Sequence, residues 1–376
     1  MPRKGENIYK RKDGRWEGRF IKNHDLQGKA HYGYVYGKTY TEAKQLLREK
    51  QRLVSPNIGE CNKGAALYST VLLSWMESQR IHIKESTYAR YYQVVYTHLL
   101  PKIGSIRVDK ITTKVIEKYV AELISSGRID GTGGLSPKTT SDILTIVKAS
   151  VEYARYNGYP IQCDLNKVCI KQRKDELQVL SHMEQKQLTS VLLENTDPIK
   201  FGVLLSLYTG IRIGEVCALK WENLNVLSGV LSIKETLQRI KDTSNCSLSK
   251  TKIVITAPKS SCSVRDIPLP SFLIDIAKKF QGSSNSYVLT GDKNKFIEPR
   301  VLQYHFKMLI QEAQIRDVNY HALRHTFATR CIELGFDVKT LSEILGHSNV
   351  NITLNRYVHS SLDLKKENME KISCIS

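Results

Sequence analysis

The period of apolar and polar positions changes along the chain, and each period predicts a different kind of structure. Near the N-terminus it is two. Ile8-Tyr9-Lys10-Arg11-Lys12 and Arg15-Trp16-Glu17-Gly18-Arg19-Phe20 flank Asp13-Gly14. An Asp-Gly step between alternating runs predicts a β-hairpin closed by a type I′ turn, because glycine accepts the positive φ such a turn requires. His31-Tyr32-Gly33-Tyr34-Val35-Tyr36-Gly37 reads as a third strand. From Thr41 to Arg52 the period becomes helical, with Ala43, Leu46 and Leu47 on one face and Thr41 placed to cap. Ser55-Pro56-Asn57-Ile58-Gly59 reads as a linker. The first expected domain is therefore 1–62, a three-stranded sheet backed by one helix.

Beyond the linker the spacing stays helical. Leu67, Val71, Leu72, Trp75 and Met76 mark one helix. Ser86-Thr87 is placed to cap a second, through Tyr88, Tyr91, Tyr92, Val95 and Leu99, which is expected to end at Pro101 because proline has no N–H for the ladder. Thr112-Thr113 starts a third with Val120, Leu123 and Ile124, and a glycine-rich loop follows from Gly127 to Gly134. Ser136-Pro137-Lys138 opens a fourth with Ile143, Ile146, Val147 and Val151 on one face; proline costs little in a first turn. These helices make a second expected domain, 63–166. After a basic linker, Lys167 to Lys174, residues 175–376 read as a mixed, mainly helical domain. Ser181 and Glu184 have the spacing of a capping box, and Phe201 to Tyr208 is an apolar helix. Val226 to Ile240 and Ile253 to Ile267 read as strands. In the tail, Leu362, Leu364, Met369 and Ile372 form a partly helical pattern that packs either on its own domain or on a neighbouring copy. The expected fold class is α+β, mostly helical, with no internal repeats.

Charge narrows the function. The 376 residues hold 56 Lys and Arg against 37 Asp and Glu, a net charge of +19, with a pI near 9.4. Such a surplus repels itself in the compact state and points to an anionic partner, either nucleic acid or a membrane surface. No apolar run reaches the roughly 18–20 residues that span a bilayer, and Met1 to Lys12 lacks the apolar stretch of a secretory signal. Nucleic acid is therefore the favoured partner, and the cytoplasm the expected location. Met1 to Arg52 alone carries 14 Lys and Arg against 6 Asp and Glu. Its Arg15, Trp16, Arg19, Tyr32, Tyr34 and Tyr36 suit a sheet laid into a DNA groove; a solvated module with no ligand is the alternative. Arg15, Trp16, Arg19 and Lys138 are the candidate DNA contacts. None of the 8 cysteines stands in a CxxC pair, and they read as reduced thiols.

Candidate chemistry lies in the last domain. Cleaving a phosphodiester requires stabilising charge on its non-bridging oxygens, activating a nucleophile and protonating the leaving oxygen; without a metal, fixed cations must serve, and the planar fork of arginine suits phosphate. In Thr209-Gly210-Ile211-Arg212-Ile213-Gly214-Glu215 the glycine turns one helix into another, and Glu215 can orient Arg212 from one turn away. Lys259 falls in a polar turn between strand residues, at the expected tip of a hairpin. His321-Ala322-Leu323-Arg324-His325 puts His321 and Arg324 on one helical face. The two histidines also have the spacing of a zinc site, but Ala322 stands where that motif has glutamate, no third ligand is evident, and Arg324 between them repels a cation. Leu345-Gly346-His347 precedes Tyr357, which lies in a polar, loop-like stretch between Arg356 and His359. A lone tyrosine is ordinarily a packing or surface residue.

In order and approximate spacing, Arg212 with Glu215, Lys259, His321-xx-Arg324-His325, Leu345-Gly346-His347 and Tyr357 resemble the tyrosine recombinases of the phage integrase family. The likeness covers about Asp175 to Ser361 for catalysis. The starts Gly5-Glu6-Asn7-Ile8-Tyr9 and Gly14-Arg15-Trp16-Glu17-Gly18-Arg19 resemble integrases of conjugative transposons most closely. The resemblance implies an arm-binding domain, a core-binding domain and a catalytic domain. It implies a metal-independent, cofactor-free enzyme in which Tyr357 forms a 3′-phosphotyrosine. Arg212 and Arg324 would clamp the phosphate, Lys259 would be the acid and His321 the base. His347 would bond the phosphate, Glu215 would orient the site and His325 would pack or support. It further implies double-stranded DNA with core and arm sites, a homotetramer on that DNA, accessory excision or bending proteins, and a bacterial, nucleoid-associated setting. The alternatives are a type IB-like topoisomerase, a dimer resolvase, or a DNA-binding regulator that does not cut.

Overall fold

The computed structural model describes residues 7–24, 30–54, 63, 65–171, 177–243, 250–257 and 261–357. The linker at 55–59, Lys259, His359 and the tail pattern at 362–372 lie outside these residues, as does part of the basic linker at 167–174. The chain is mostly helical with small antiparallel sheets. It divides into two compact units, one of residues 1–82 and 94–172, the other of residues 83–93 and 173–376.

In the first unit β1 (Ile8–Lys10), β2 (Trp16–His24) and β3 (Ala30–Gly37) form an antiparallel sheet in the order β1-β2-β3. Register sorts its residues by face. Ile8 pairs with Gly18 and Gly18 with Val35; these turn toward α1 (Tyr40–Val54), where Ile8, Phe20, Val35, Ala43 and Leu47 form a small core. The β1–β2 turn differs from the expected type I′. Arg11 N–H donates to Arg15 O and Gly14 N–H to Arg11 O, and only Gly14 takes a positive φ, of 84°. Three residues, not two, form the loop, with the glycine in its last, left-handed position. Helix α1 is capped by Thr39, whose hydroxyl accepts from Glu42 N–H at 3.2 Å, rather than by Thr41.

The helical stretch comprises α2 (Tyr68–Gln79), α3 (Glu85–Val94), α4 (Leu100–Ile103), α5 (Thr113–Ser126) and α6 (Pro137–Tyr156). Thr112 and Ser136 cap the last two, and Pro137 sits in the first turn of α6. The helix expected to stop at Pro101 does not stop there. Between α3 and α4 the chain makes a π-helical turn over Val95–Leu99 and passes through Pro101. Shifting the ladder from i−4 to i−5 accommodates a residue with no N–H to give. Tyr119 donates its hydroxyl to His98 O at 2.9 Å within this irregular turn.

In the second unit α7 (His182–Leu193) opens with a capping box between Ser181 and Glu184. Then come α8 (Pro198–Thr209), α9 (Ile213–Ala218), β4 (Leu224–Asn225), β5 (Val230–Ile233), β6 (Thr236–Lys241), β7 (Thr251–Thr256), β8 (Arg265–Pro268), α10 (Ser271–Phe280), α11 (Pro299–Glu312), α12 (His321–Glu333), α13 (Val338–Leu345) and α14 (Val350–Tyr357). Helix α8 is apolar on all sides, with Phe201, Val203, Leu204, Leu205 and Leu207 buried, so it lies at the centre of the main core. The two long strands read from sequence are each divided. One sheet runs β4-β5-β8 and a separate pair is β6-β7. The strands on either side of Lys259 pair with other partners, β7 with β6 and β8 with β5, while Lys259 itself lies outside the described residues. Five described cysteines, Cys163, Cys169, Cys217, Cys262 and Cys331, are free thiols.

Candidate active site

The ends of two helices converge on one buried cation carried by a third. Gly210 ends α8 in a left-handed conformation and Gly346 does the same for α13. The last carbonyls of a helix have no partner within it and carry its negative partial charge. Arg324, on α12 and only 3% exposed, donates from Nη1 to Gly210 O at 2.8 Å and from Nη2 to Leu345 O at 2.7 Å. Its guanidinium thus satisfies both helix ends. Burial and nearby Arg212 bring its pKa down to about 9, which leaves it cationic at pH 7.

Arg212 stands at the start of α9, the positive end of that helix. Glu215, three residues on, accepts from Arg212 N–H at 2.8 Å and from its Nη1 at 2.8 Å. Arg212 Nη2 reaches Gly346 O at 3.3 Å, and its side chain keeps 37% exposure. Glu215 is buried, yet its carboxyl is held below the usual range: burial works against ionisation, and Arg265 followed by Arg212 outweighs it.

Tyr357 differs from the sequence expectation. It ends helix α14, where a polar loop was expected, and is 6% exposed. Its ring packs with Ala328, Cys331, Leu341 and Leu345, an apolar anchor that the polar run before it does not advertise. Its hydroxyl lies 2.8 Å from Nδ1 of His325. The base expected from the motif was His321; the histidine touching the phenol is its neighbour one turn on, and the two imidazoles meet edge to face at 4.5 Å. His347 lies parallel to the Tyr357 ring, 6.5 Å between centroids, and its Nδ1 is 2.8 Å from Thr353 Oγ1. Burial raises the tyrosine pKa, while Arg324, Arg356 and Arg212 oppose the rise. Burial first, and arginine repulsion next, lower His321 and His347 to about 4. Burial, then His321 and Arg356, lower His325 to about 3. All three imidazoles are therefore neutral at pH 7, each with one ring nitrogen that carries no proton. Nitrogen-15 NMR of the free protein is expected to show these three rings still neutral at pH 5.5; titration midpoints near 6.5 would contradict this.

Lys259 lies outside the described residues. The far end of its connector meets the site: a Cβ on Gly346 would stand 3.1 Å from Cys262 O and 3.0 Å from Arg265 Cδ. The positive φ of 64° there and this close approach both call for glycine. Arg265, which sequence reasoning passed over, forms a fork on Glu215 at 2.9 and 3.2 Å. Its sequence signal was slight, an arginine between Val264 and Asp266 at the end of a stretch read as a strand.

The remaining candidates belong to the first unit. Tyr9, Arg19, Tyr32, Tyr34 and Tyr36 share the open face of the β-sheet, with the Arg19 guanidinium 4.4 Å above the Tyr32 ring. Arg15 lies at the turn, paired to Asp13 at 2.8 Å and 5.6 Å over Tyr36. Trp16 does not join them: it faces the helix side, edge-on to Tyr40 at 5.2 Å. Lys138, in the first turn of α6, is exposed and 3.6 Å from Asp142.

Comparison with known proteins decides the family. The phage integrase family model matches residues 173–363, and the model of the phage integrase N-terminal SAM-like domain matches residues 67–124. This chain belongs to the phage integrase family, the tyrosine recombinases. Among its relatives, the tyrosine recombinase XerC-like protein of Caldanaerobacter subterraneus subsp. tengcongensis is 26% identical over 360 residues, covering 89% of this chain and 90% of that protein. The ICEBs1 integrase of Bacillus subtilis is 22% identical, covering 81% and 82%. In fold the chain is similar to the Tn1549 transposon integrase in complex with a circular intermediate DNA, with a TM-score of 0.64 at 20% identity, covering 82% of this chain and 99% of that one. It is also similar to a lambda integrase tetramer bound to a Holliday junction, with a TM-score of 0.55 at 15% identity, covering 95% and 98%. The fork-and-phenol cluster of this integrase-family chain lies wholly within the family match. Among the described residues no helix is long and apolar enough to cross a membrane.

Proposed function

We propose that this chain is a site-specific DNA recombinase that integrates and excises a mobile element through a 3′-phosphotyrosine. The observation that carries the reading is the Tyr357 hydroxyl, 2.8 Å from a neutral histidine nitrogen and beside Arg324, assembled from segments far apart in sequence. Arg212 and Arg324 bind the non-bridging oxygens, whose charge grows in the transition state. The phenol oxygen bonds to phosphorus as its proton passes to the histidine pair, with His325 nearest and His321 behind it. The bond to the 5′ oxygen breaks and that oxygen takes a proton from Lys259. His347 bonds the phosphate and Glu215 orients Arg212. In rejoining, a 5′-hydroxyl attacks the phosphotyrosine and the two protons return. Phosphodiester energy is conserved throughout, so neither ATP nor metal enters the scheme.

Residues 1–62 act as the arm-type DNA-binding domain, 63–166 as the core-binding domain and 175–376 as the catalytic domain. Arg15, Arg19 and Lys138 contact DNA, while Trp16 supports the sheet from behind. Four strand cuts in two duplexes call for a homotetramer on DNA, in keeping with the lambda integrase tetramer. Excision proceeds with accessory or bending proteins, on the nucleoid of a bacterial cytoplasm. The test uses a nicked duplex spanning the joined ends of the element that encodes the chain, incubated with protein in EDTA. A covalent protein–DNA adduct on a denaturing gel is expected; its absence, or a need for metal, overturns the reading. Affinity for the same duplex is expected to fall by about 10³-fold or more between about 50 and 200 mM salt. A flat dependence would remove the phosphate-contact role of the net +19 charge.

A further inference from the structure

One buried cation beside the site has no part in these roles. Arg265 opens β8, and its side chain is 6% exposed. Nη2 and Nη1 fork onto the Glu215 carboxylate at 2.9 and 3.2 Å. Nε donates to Ile344 O at 2.5 Å, and Nη1 also donates to Ser263 O at 3.0 Å. Four of its five N–H groups are thereby engaged, so the guanidinium is committed to the protein and not to a substrate anion. Its partners belong to three segments. Glu215 sits in α9 and holds Arg212; Ile344 sits in the last turn of α13, which leads to His347; Ser263 ends the connector that contains Lys259. Gly346 packs on the same side chain, where a Cβ would meet Cδ at 3.0 Å and Nη1 at 3.1 Å.

We propose that Arg265 is a positioning residue for strand cleavage, acting through Glu215 on Arg212 and through the α13 turn on His347. The inference rests on the recombinase reading above. A fork with two fixed N–H directions sets both the position and the plane of the Glu215 carboxylate. That carboxylate in turn sets the Arg212 guanidinium. Without Arg265 the cations remain but lose their register, and misplacement by about 1 Å costs about 100-fold in rate. A second consequence concerns protonation. Glu215 faces Arg212 from its own segment, Arg265 from β8 and Arg324 from α12. Removing Arg265 leaves burial opposed by fewer cations, so the carboxyl protonates at higher pH and then holds Arg212 less firmly.

The test measures single-turnover adduct formation at saturating nicked duplex, with duplex affinity measured separately. R265Q is expected to cleave about 100-fold more slowly with affinity changed less than about threefold. Its rate should decline as pH is lowered over a range where the wild type is flat. R265K restores a cation but not the fork: it should regain the flat pH profile while remaining about tenfold slow. The double variant E215Q/R265Q should be slower than E215Q alone, but by clearly less than the loss R265Q causes in the wild type, since the route through Glu215 to Arg212 is shared and only the route through the α13 turn is left for Arg265. A wild-type rate in R265Q, an affinity loss that matches the rate loss, or a double variant showing the full sum of both losses overturns the proposal. If R265Q lacks a cooperative thermal transition, R265K decides: a wild-type rate in that variant overturns it. No adduct from the wild type removes the recombinase reading and this inference together; a normal wild type with an unaffected R265Q removes this inference alone.

Discussion

Tyr357→Phe is expected to bind the nicked duplex with unchanged affinity and to form no covalent adduct at any time or protein concentration. Only the oxygen is removed, and it is the atom that must bond to phosphorus. The ring stays in its apolar cluster with Ala328, Cys331, Leu341 and Leu345, so packing is retained. The loss to stability is one hydrogen bond to His325, about 1 kcal/mol net. Binding and folding should therefore survive while chemistry vanishes. Denaturing gels read the adduct, and mass spectrometry of the wild-type adduct identifies the modified residue. The chain has 19 tyrosines, so a residual adduct in Y357F, or a modified peptide without Tyr357, would move the nucleophile elsewhere.

Arg324→Gln should damage both catalysis and the fold, in contrast with Arg212→Gln. Arg324 is buried and ties Gly210 O to Leu345 O. Its loss leaves two helix-end carbonyls short of a donor in an enclosed site, at about 1–3 kcal/mol for each unsatisfied group. Glutamine can reach at most one of them, so unfolding in denaturant should show a loss of about 2–4 kcal/mol. Single-turnover cleavage should fall by about 10³-fold or more, the order seen when a preorganised charge donor is removed. Arg212 is more than a third exposed on its side chain, and replacing it should cost a comparable factor in rate with far less stability. An R324Q protein of wild-type stability, cleaving within about tenfold of wild type, would show that the guanidinium neither holds the helix ends nor touches the phosphate.

The same contrast explains which parts of the structure were legible in advance. Local periodicity identified the N-terminal sheet, its helix, and most helices of both units, because a buried face imposes a period on whatever element carries it. Caps at Thr112, Ser136 and Ser181 were legible because their chemistry is confined to one turn. The errors arose where a neighbour overrode a local rule. Pro101 sits inside a helix because a π-turn adjusts the ladder before it. The strand expected from Ile253 to Ile267 is two strands in two sheets, since pairing partners and not β-propensity decide where a strand belongs. Trp16 faces α1 because register, set by Ile8 and Val35 on the same side, assigns it there.

The reaction class is legible in the order of residues alone: two arginines, a lysine, histidines and a tyrosine in a compatible order, with a positive surplus that suits DNA. Order along a chain carries identity but no direction in space. It takes the folded chain to show that Arg324 clasps two helix ends, that His325 and not His321 meets the Tyr357 hydroxyl, and that Arg265 joins Glu215 to the turn before His347. Each of these is a contact across more than 20 residues of chain. Such contacts depend on how helices end and how sheets pair, which the packing of the core settles and no local pattern records.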